Sequence, residues 1–372
     1  MLSRGLRSVA RQTLSPIYRN HEWVKDALTK ADIALDLVRH SAASVFPQLI
    51  GPDPRHLFIS LTADCNNRCK GCHYGRDFMP GHALKLSVVK DLLDDAKAAR
   101  FERVRLYGGE PLLHPDLPEI VEHTAGLGLG MWVTTNGILL ERKIDDLFTA
   151  GLRQLSVGLY GIGQAYDEYV QRPRRFAALE RGLAYVRDRY GMDILMHLDW
   201  LLMRPTCHLP SVRETLKLAE RYRMPICVNL IHYSLPYFTG PEERELQFTP
   251  DDRPAIEAVV AEIMRFKEAR PDLVLISDPG LRSIPDWLIN GPAMKVPCTA
   301  YRLIWVGADG TVQMCYVKFK LGNLNENRLS EMLFTAEHRK AARDAFALNC
   351  PNCHCGYDTR TLRHAPTRSR YS

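Results

Sequence analysis

The residues Cys65-Asn66-Asn67-Arg68-Cys69-Lys70-Gly71-Cys72 place three thiols as Cys-x3-Cys-x2-Cys, directly behind the apolar stretch His56–Leu61. Three closely spaced thiolates form a shallow cup with no fourth protein ligand. Structural zinc normally closes its tetrahedron with four protein ligands, and an electron-carrier iron–sulfur cluster normally takes four cysteines. Three therefore suggest an open metal position. A [4Fe-4S] cluster held this way keeps one iron free for a small molecule, the arrangement of a catalyst rather than of a staple. A zinc knuckle with a distant fourth ligand, or a disulfide plus a free thiol, are the blander alternatives.

A second sulfur-rich region lies near the other end of the chain. Cys298 precedes two β-prone runs, Leu303–Val306 and Thr311–Cys315, joined by the turn Gly307-Ala308-Asp309-Gly310. After a helical stretch near Leu329–Ala347 comes Cys350-Pro351-Asn352-Cys353-His354-Cys355. Two cysteines flanking a hairpin, followed by Cys-x2-Cys, supply four soft ligands that zinc or iron would accept.

Between these regions the pattern alternates short apolar runs with longer amphipathic ones. Strands are predicted at His56–Leu61, Arg103–Tyr107, Gly130–Thr134, Gln154–Leu159, Ile194–Leu202 and Pro225–Leu230. Helices are predicted at Ser87–Ala99, Pro118–Gly126, Lys143–Ala150, Phe176–Tyr190, Val212–Arg223 and Asp251–Ala269. Six strand-then-helix units in succession imply an α/β fold, a partial (β/α)6 barrel with right-handed crossovers. In such folds functional groups gather at the C-terminal ends of the strands, where the triplet falls. The second strand ends in Tyr107-Gly108-Gly109-Glu110-Pro111, whose glycines allow close approach of a ligand to the backbone and whose carboxylate suits a cationic group. The third ends in Thr134-Thr135-Asn136-Gly137, a polar turn.

Composition bounds the function. A chain of 372 residues with 46% hydrophobic content can fill one large core with a smaller module attached. Ten cysteines, mostly in tight local groups, are too sparse for a secreted disulfide scaffold and fit metal binding in a reducing compartment, so a cytoplasmic location is expected. The net charge of +6 is dispersed, with a modest terminal cluster at Arg360, Arg363, Arg368 and Arg370, which falls short of a nucleic-acid footprint. No apolar run approaches the roughly 18 residues of a membrane span. Residues 1–20 carry Arg4, Arg7, Arg11 and Arg19 and no acid, a pattern shared by transit peptides, membrane-surface helices and plain basic extensions. The expected divisions are a helical extension over 1–50, the barrel over 51–279, and a cysteine-rich hairpin-plus-helix module with a basic tail over 280–372.

The cysteine triplet, Gly108-Gly109-Glu110 and Thr135-Asn136-Gly137 together resemble the radical S-adenosylmethionine (radical SAM) enzymes, whose shared core is a six-unit partial barrel. The resemblance implies that Cys65, Cys69 and Cys72 ligate a [4Fe-4S] cluster whose open iron is chelated by S-adenosylmethionine. It implies that Gly108, Gly109 and Glu110 meet the methionine amino group, that Thr135 and Asn136 help to bind the cofactor, and that Arg204 pairs with the methionine carboxylate. Two departures stand out. Gly71 occupies a position that is often aromatic in the superfamily, leaving Tyr74 as the candidate to stack on adenine, and Gly158-Leu159-Tyr160 replaces a frequent Ser-x-Asp. The Cys-x11-Gly-x4-Cys spacing through Gly310 resembles the superfamily's auxiliary-cluster extensions, SPASM and its shorter twitch form. One auxiliary [4Fe-4S] cluster is expected on Cys298, Cys315, Cys350 and Cys353, with Cys355 either substituting for one of them or spare.

These readings predict an oxidoreductase that cleaves S-adenosylmethionine reductively and abstracts hydrogen from a natural-product substrate, small and carbohydrate-like, with an external one-electron donor such as flavodoxin or ferredoxin. Candidate substrate contacts are Tyr160, His197, Asp199, Asn229 and His232, and Cys227 could return a hydrogen atom. A peptide maturase or epimerase is the alternative within the superfamily. A non-catalytic iron–sulfur or zinc protein is the alternative outside it, and it predicts closed four-ligand sites.

Overall fold

The computed structural model describes residues 22–238 and 241–372. The expectations attached to residues 1–20 therefore lie outside the described residues. Helix α1 (Glu22–Ala43) leads through a short 3-10 turn into β1 (His56–Thr62). The repeat that follows is α2 (Leu86–Ala98), β2 (Arg103–Gly108), α3 (Leu117–Gly126), β3 (Gly130–Thr135), α4 (Leu140–Thr149) and β4 (Gln154–Leu159). It continues as α5 (Gln164–Val170), α6 (Arg175–Tyr190), β5 (Leu195–Leu202), α7 (Leu209–Arg221), β6 (Ile226–Leu230), α8 (Pro241–Leu246) and α9 (Arg253–Ala269). All six strands pair in parallel with their sequence neighbours, forming the expected partial barrel. No helix among the described residues is long and apolar enough to cross a membrane.

The apolar spacing explains the helices. Val89, Leu92, Leu93 and Ala96 of α2 and Leu140, Ile144 and Leu147 of α4 repeat every three or four residues and are all buried. Each of the valines, leucines and isoleucines among them contributes roughly 1.5–3 kcal/mol by leaving water. The strands alternate in a way that matters for function. On β5 Met196, Leu198, Trp200 and Leu202 are buried under helices, whereas His197, Asp199 and Leu201 face inward and are only half-buried. The barrel interior is thus the more open side, and its inward positions carry the polar residues.

The C-terminal strands continue the same sheet. Strand β7 (Leu303–Val306) pairs in parallel with β1, Leu57 opposite Ile304 and Ile59 opposite Val306, and β8 (Thr311–Gln313) and β9 (Lys320–Asn323) follow antiparallel. The sheet has nine strands in the order β6-β5-β4-β3-β2-β1-β7-β8-β9. Cys298 precedes β7 and Cys315 follows β8, so the hairpin brings both to the end of the sheet where β1 begins. The triplet follows β1 and lies at the other end, about 20 Å of strand away.

Helix α10 (Asp278–Asn290), which Pro285 conceals from sequence pattern, packs with α13 (Tyr357–Arg363). The predicted helix over 329–347 is two, α11 (Leu329–Met332) and α12 (Ala336–Phe346), and the chain closes with α13 and α14 (Ala365–Arg370). The expected basic tail is therefore folded structure. Arg360 is fully buried, Arg363 pairs with Asp32 at 2.8 Å and with Asp36, and Arg370 pairs with Asp286 at 2.8 Å. Asp36 also binds Arg302 at 2.7 Å, so α1 is clamped to both β7 and α13. Burial opposes ionisation of Asp32, but Arg55, Arg363 and Arg302 outweigh it and hold its carboxyl down to about 2.

Candidate active site

A cavity of about 960 Å³ runs through the barrel interior, and both cysteine groups line it. Cys65, Cys69 and Cys72 sit on one wall; Cys298, Cys315, Cys350, Cys353 and Cys355 also reach it. All ten cysteines are free thiols.

The triplet loop is held largely through its backbone groups. Arg68 N–H donates to Val170 O at 3.0 Å and Lys70 N–H to Tyr169 O at 2.8 Å, tying the loop to α5. Arg76 donates to the carbonyls of Cys72 and Cys69. Burial, and then the neighbouring sulfurs, push the Cys69 thiol well up; burial pushes Cys65 up to about 12. Thiolates here are favourable only with a cation among them, so the donor set fits a metal cluster.

Gly71 is backbone in the left-handed region, and a Cβ there would lie 2.7 Å from the ring of Phe238. The missing aromatic before the third cysteine is thus compensated in space, because Phe238 lies over that position and lines the cavity. Tyr74 also lines the cavity, but its hydroxyl donates to Ser60 Oγ at 2.5 Å and accepts from Ala308 N at 3.2 Å, which fixes it in the wall.

The Gly-Gly-Glu loop also joins two loop backbones. A Cβ on Gly109 would fall 2.3 Å from Asp64 O, and Gly109 N–H donates to Thr62 O at 2.7 Å. The glycines allow two loop backbones to meet, and Gly108 and Gly109 still line the cavity. Glu110 is fully buried and lies outside the cavity lining. Its carboxylate accepts from Leu112 N at 3.0 Å, Thr135 Oγ1 at 2.7 Å and Asn136 N at 2.8 Å. Burial outweighs these donors and raises it to about 7. Glu110 is therefore the strut between the loops of β2 and β3, and Asn136 relays it to the triplet by donating to Asn66 Oδ1 at 2.7 Å.

On the barrel floor a polar chain crosses the strands. Arg105 Nε donates to Thr134 Oγ1 at 2.8 Å, Thr134 and Ser156 hydroxyls meet at 2.7 Å, and Ser156 Oγ donates to Asp199 Oδ2 at 2.8 Å. Asn229 donates to Asp199 Oδ1 at 3.2 Å. Arg105 lies over the rings of Tyr107 and Phe58. Sequence reasoning passed over Arg105 and Ser156; the signal was a polar residue between apolar neighbours inside a predicted parallel strand.

The other expected site residues divide. Tyr160, Asn229 and His232 line the cavity, as do Thr135 and Asn136. Cys227 and His197 stand on inward strand faces but behind the wall, His197 Nε2 being 3.7 Å from Asp199 Oδ1. Asp199, also expected to touch substrate, likewise lies outside the cavity lining. Arg204 lies in a 3-10 turn after β5, away from the cavity, whereas Arg68, Arg76, Arg105 and Arg172 line it.

Residues 59–199 match the family model of the radical SAM superfamily, and residues 298–355 match that of the SPASM iron-sulfur cluster-binding domain. The chain belongs to the radical SAM superfamily. It is an enzyme of the SPASM-bearing kind, and its cofactors are a [4Fe-4S] cluster, auxiliary iron–sulfur and S-adenosylmethionine. It is 31% identical over 157 residues to molybdenum cofactor biosynthesis protein 1 of Dictyostelium discoideum, covering 41% of this chain and 24% of that one. It is 30% identical over 174 residues to AdoMet-dependent heme synthase of Methanosarcina barkeri, covering 45% and 47%. The chain thus matches less than half the length of these relatives. Among solved structures, anSMEcpe with bound AdoMet and the Kp18Cys peptide aligns with a TM-score of 0.62 at 18% identity, over 83% of this chain and 88% of that one. SuiB of Streptococcus suis aligns with a TM-score of 0.62 at 15% identity, over 81% and 70%. These likenesses concern the fold.

Proposed function

We propose that this enzyme is a radical SAM oxidoreductase whose substrate is a small polyhydroxylated molecule held between the two cysteine groups. The observation that carries the reading is that both groups line one cavity from opposite ends of the β1/β7 pair. Cys65, Cys69 and Cys72 hold the SAM-binding cluster, and the C-terminal cysteines hold one auxiliary cluster. When bound, these groups supply reductive cleavage of S-adenosylmethionine to a 5′-deoxyadenosyl radical and an acceptor for the substrate electron.

The chain's own residues bind and orient. The backbone of Gly108 and Gly109 faces the methionine amino group, Asn136 borders the cluster, and Phe238 offers an aromatic face beside Gly71 for the adenine. Arg172, on the cavity wall beyond Tyr169, replaces Arg204 as the partner of the methionine carboxylate. Asn229 and Arg105 on the floor, both held by Asp199 behind them, with the rings of Phe58, Tyr107 and Tyr316 on the walls, suit a ring bearing hydroxyl groups: polar groups below, aromatic faces beside.

The test is anaerobic turnover with S-adenosylmethionine and a reductant. Release of 5′-deoxyadenosine is expected, accelerated by a polyol or aminopolyol substrate and lost in the Cys65, Cys69, Cys72 triple alanine variant. Release no faster than in that variant would remove the enzyme mechanism. A second reading has an observation of its own: solved neighbours include anSMEcpe with the Cp18Cys peptide and SuiB with the precursor peptide SuiA. Acceleration by peptides and not by polyols would select it.

A further inference from the structure

Six donors line the cavity at the C-terminal centre, where a cluster uses four. Five are cysteines; the sixth is His232, two residues beyond the end of β6 and outside the matched cluster-binding segment. The ligand atoms of His232, Cys353 and Cys355 all lie within 4.8 Å of one another. His232 Nε2 is 2.7 Å from Cys355 Sγ, while Nδ1 is 3.5 Å from Ser234 Oγ. The ring cannot drift. It packs 4.8 Å from the His354 ring, and His354 is itself fixed by a bond of 3.1 Å to Leu230 O, at the end of β6.

We propose that Cys355 is a ligand of the auxiliary cluster and that His232 donates its Nε2–H to that sulfur, raising the reduction potential of the cluster. The inference rests on the auxiliary cluster of the preceding section. The contact is too close for two atoms bound to different irons of one cluster, and its pairing of ring nitrogen with sulfur is that of a donor and its acceptor. A hydrogen bond to a coordinated thiolate stabilises the more negative, reduced cluster, and such bonds are among the factors that set cluster potentials. That is the direction needed by a centre that takes an electron from substrate. It also sets Cys355 in the ligand set, its residue lining the same cavity as Cys298, Cys315, Cys350 and Cys353. His232 is thus a positioning residue, acting through sulfur.

The experiment uses the full chain in the Cys65, Cys69, Cys72 triple alanine background, reconstituted anaerobically, so that only the auxiliary centre remains. Iron analysis, EPR and potentiometry are compared for His232→Leu, His232→Asn and Cys355→Ser. Expected are about four irons per chain in the parent and in both His232 variants, a lower midpoint potential in His232→Leu, and partial recovery in His232→Asn, which keeps an N–H. Cys355→Ser is expected to lose iron or change the EPR signal. An unchanged midpoint in His232→Leu with iron retained overturns the proposal alone, as does an unaltered Cys355→Ser cluster. Loss of iron in both His232 variants makes His232 a ligand and overturns it too. A parent without iron removes the auxiliary cluster and this proposal together.

Discussion

The two cysteine groups that line the cavity are built on opposite plans. The triplet takes its three sulfurs from eight consecutive residues, and the surrounding fold only holds that loop in place. The C-terminal group gathers five sulfurs from a span of 58 residues, brought together by a hairpin, a turn and the segment ahead of α13. Each has one buried charged side chain as its strut. Glu110 ties the loops of β2 and β3 beneath the triplet, while Arg360 donates to Cys353 O, Val296 O and Asn352 Oδ1 at the C-terminal centre. A local ligand set leaves an open coordination position; a dispersed one can close.

The largest effects should separate the two by function. Changing Cys65, Cys69 and Cys72 to alanine is expected to lower 5′-deoxyadenosine release to background while about four irons per chain remain. Changing Cys298 and Cys315 to alanine is expected to do the converse: iron falls to about four, 5′-deoxyadenosine still forms, and substrate conversion stops. If either change emptied both centres, or the second abolished S-adenosylmethionine cleavage, the division of labour would fail.

Next in size is the strut of the C-terminal centre. Arg360→Ala removes donors from two backbone carbonyls and from Asn352, which itself holds Pro292 O and Met294 O at 2.8 and 2.9 Å. A loss of about 3 kcal/mol is expected in urea unfolding, with auxiliary iron lost more readily than triplet iron. Equal loss from both would mean that Arg360 supports the fold and not that centre.

Glu110 gives a smaller effect with a distinctive sign. Its folded carboxyl is raised to about 7 from 4.5, so the folded state holds the proton more tightly, and stability falls as pH rises through that window. Glutamine mimics the protonated acid. Glu110→Gln should lie within about 1 kcal/mol of wild type at pH 5. By pH 8 ionisation has cost the wild type about 3 kcal/mol, and the variant should be the more stable. Parallel stability curves for the two proteins between pH 5 and 8 would contradict the raised carboxyl.

The contrast also explains what could be read from the chain alone. The triplet, its strand and the two loops beside it are local in sequence, and their spacing announced them. The six barrel strands were legible to within a residue, because buried parallel strands read as short apolar runs. What escaped was non-local. Phe238 lies over Gly71 from a distant loop, Arg360 looked like part of a solvated tail, and α10 was concealed by Pro285, a residue that usually breaks a helix. Glu110 was legible as important, but sequence shows a carboxylate and not the three donors that enclose it.

The smallest expected effect concerns two arginines that sequence alone could not rank. Arg204 follows a barrel strand, where a ligand-binding cation would be expected, yet it lies in a turn outside the cavity. Arg172 follows α5, on which the triplet loop is hung, and lines the cavity. Removing a charge that touches no ligand should leave binding almost unchanged, whereas removing one that pairs with a carboxylate costs about 1.5–3 kcal/mol. Arg204→Ala should therefore keep the S-adenosylmethionine Kd within about twofold, and Arg172→Ala should weaken it by about tenfold or more. Calorimetric titration of the reconstituted enzyme reads both. The reverse order would return the carboxylate to Arg204 and require the segment after β5 to fold inward when the cofactor binds.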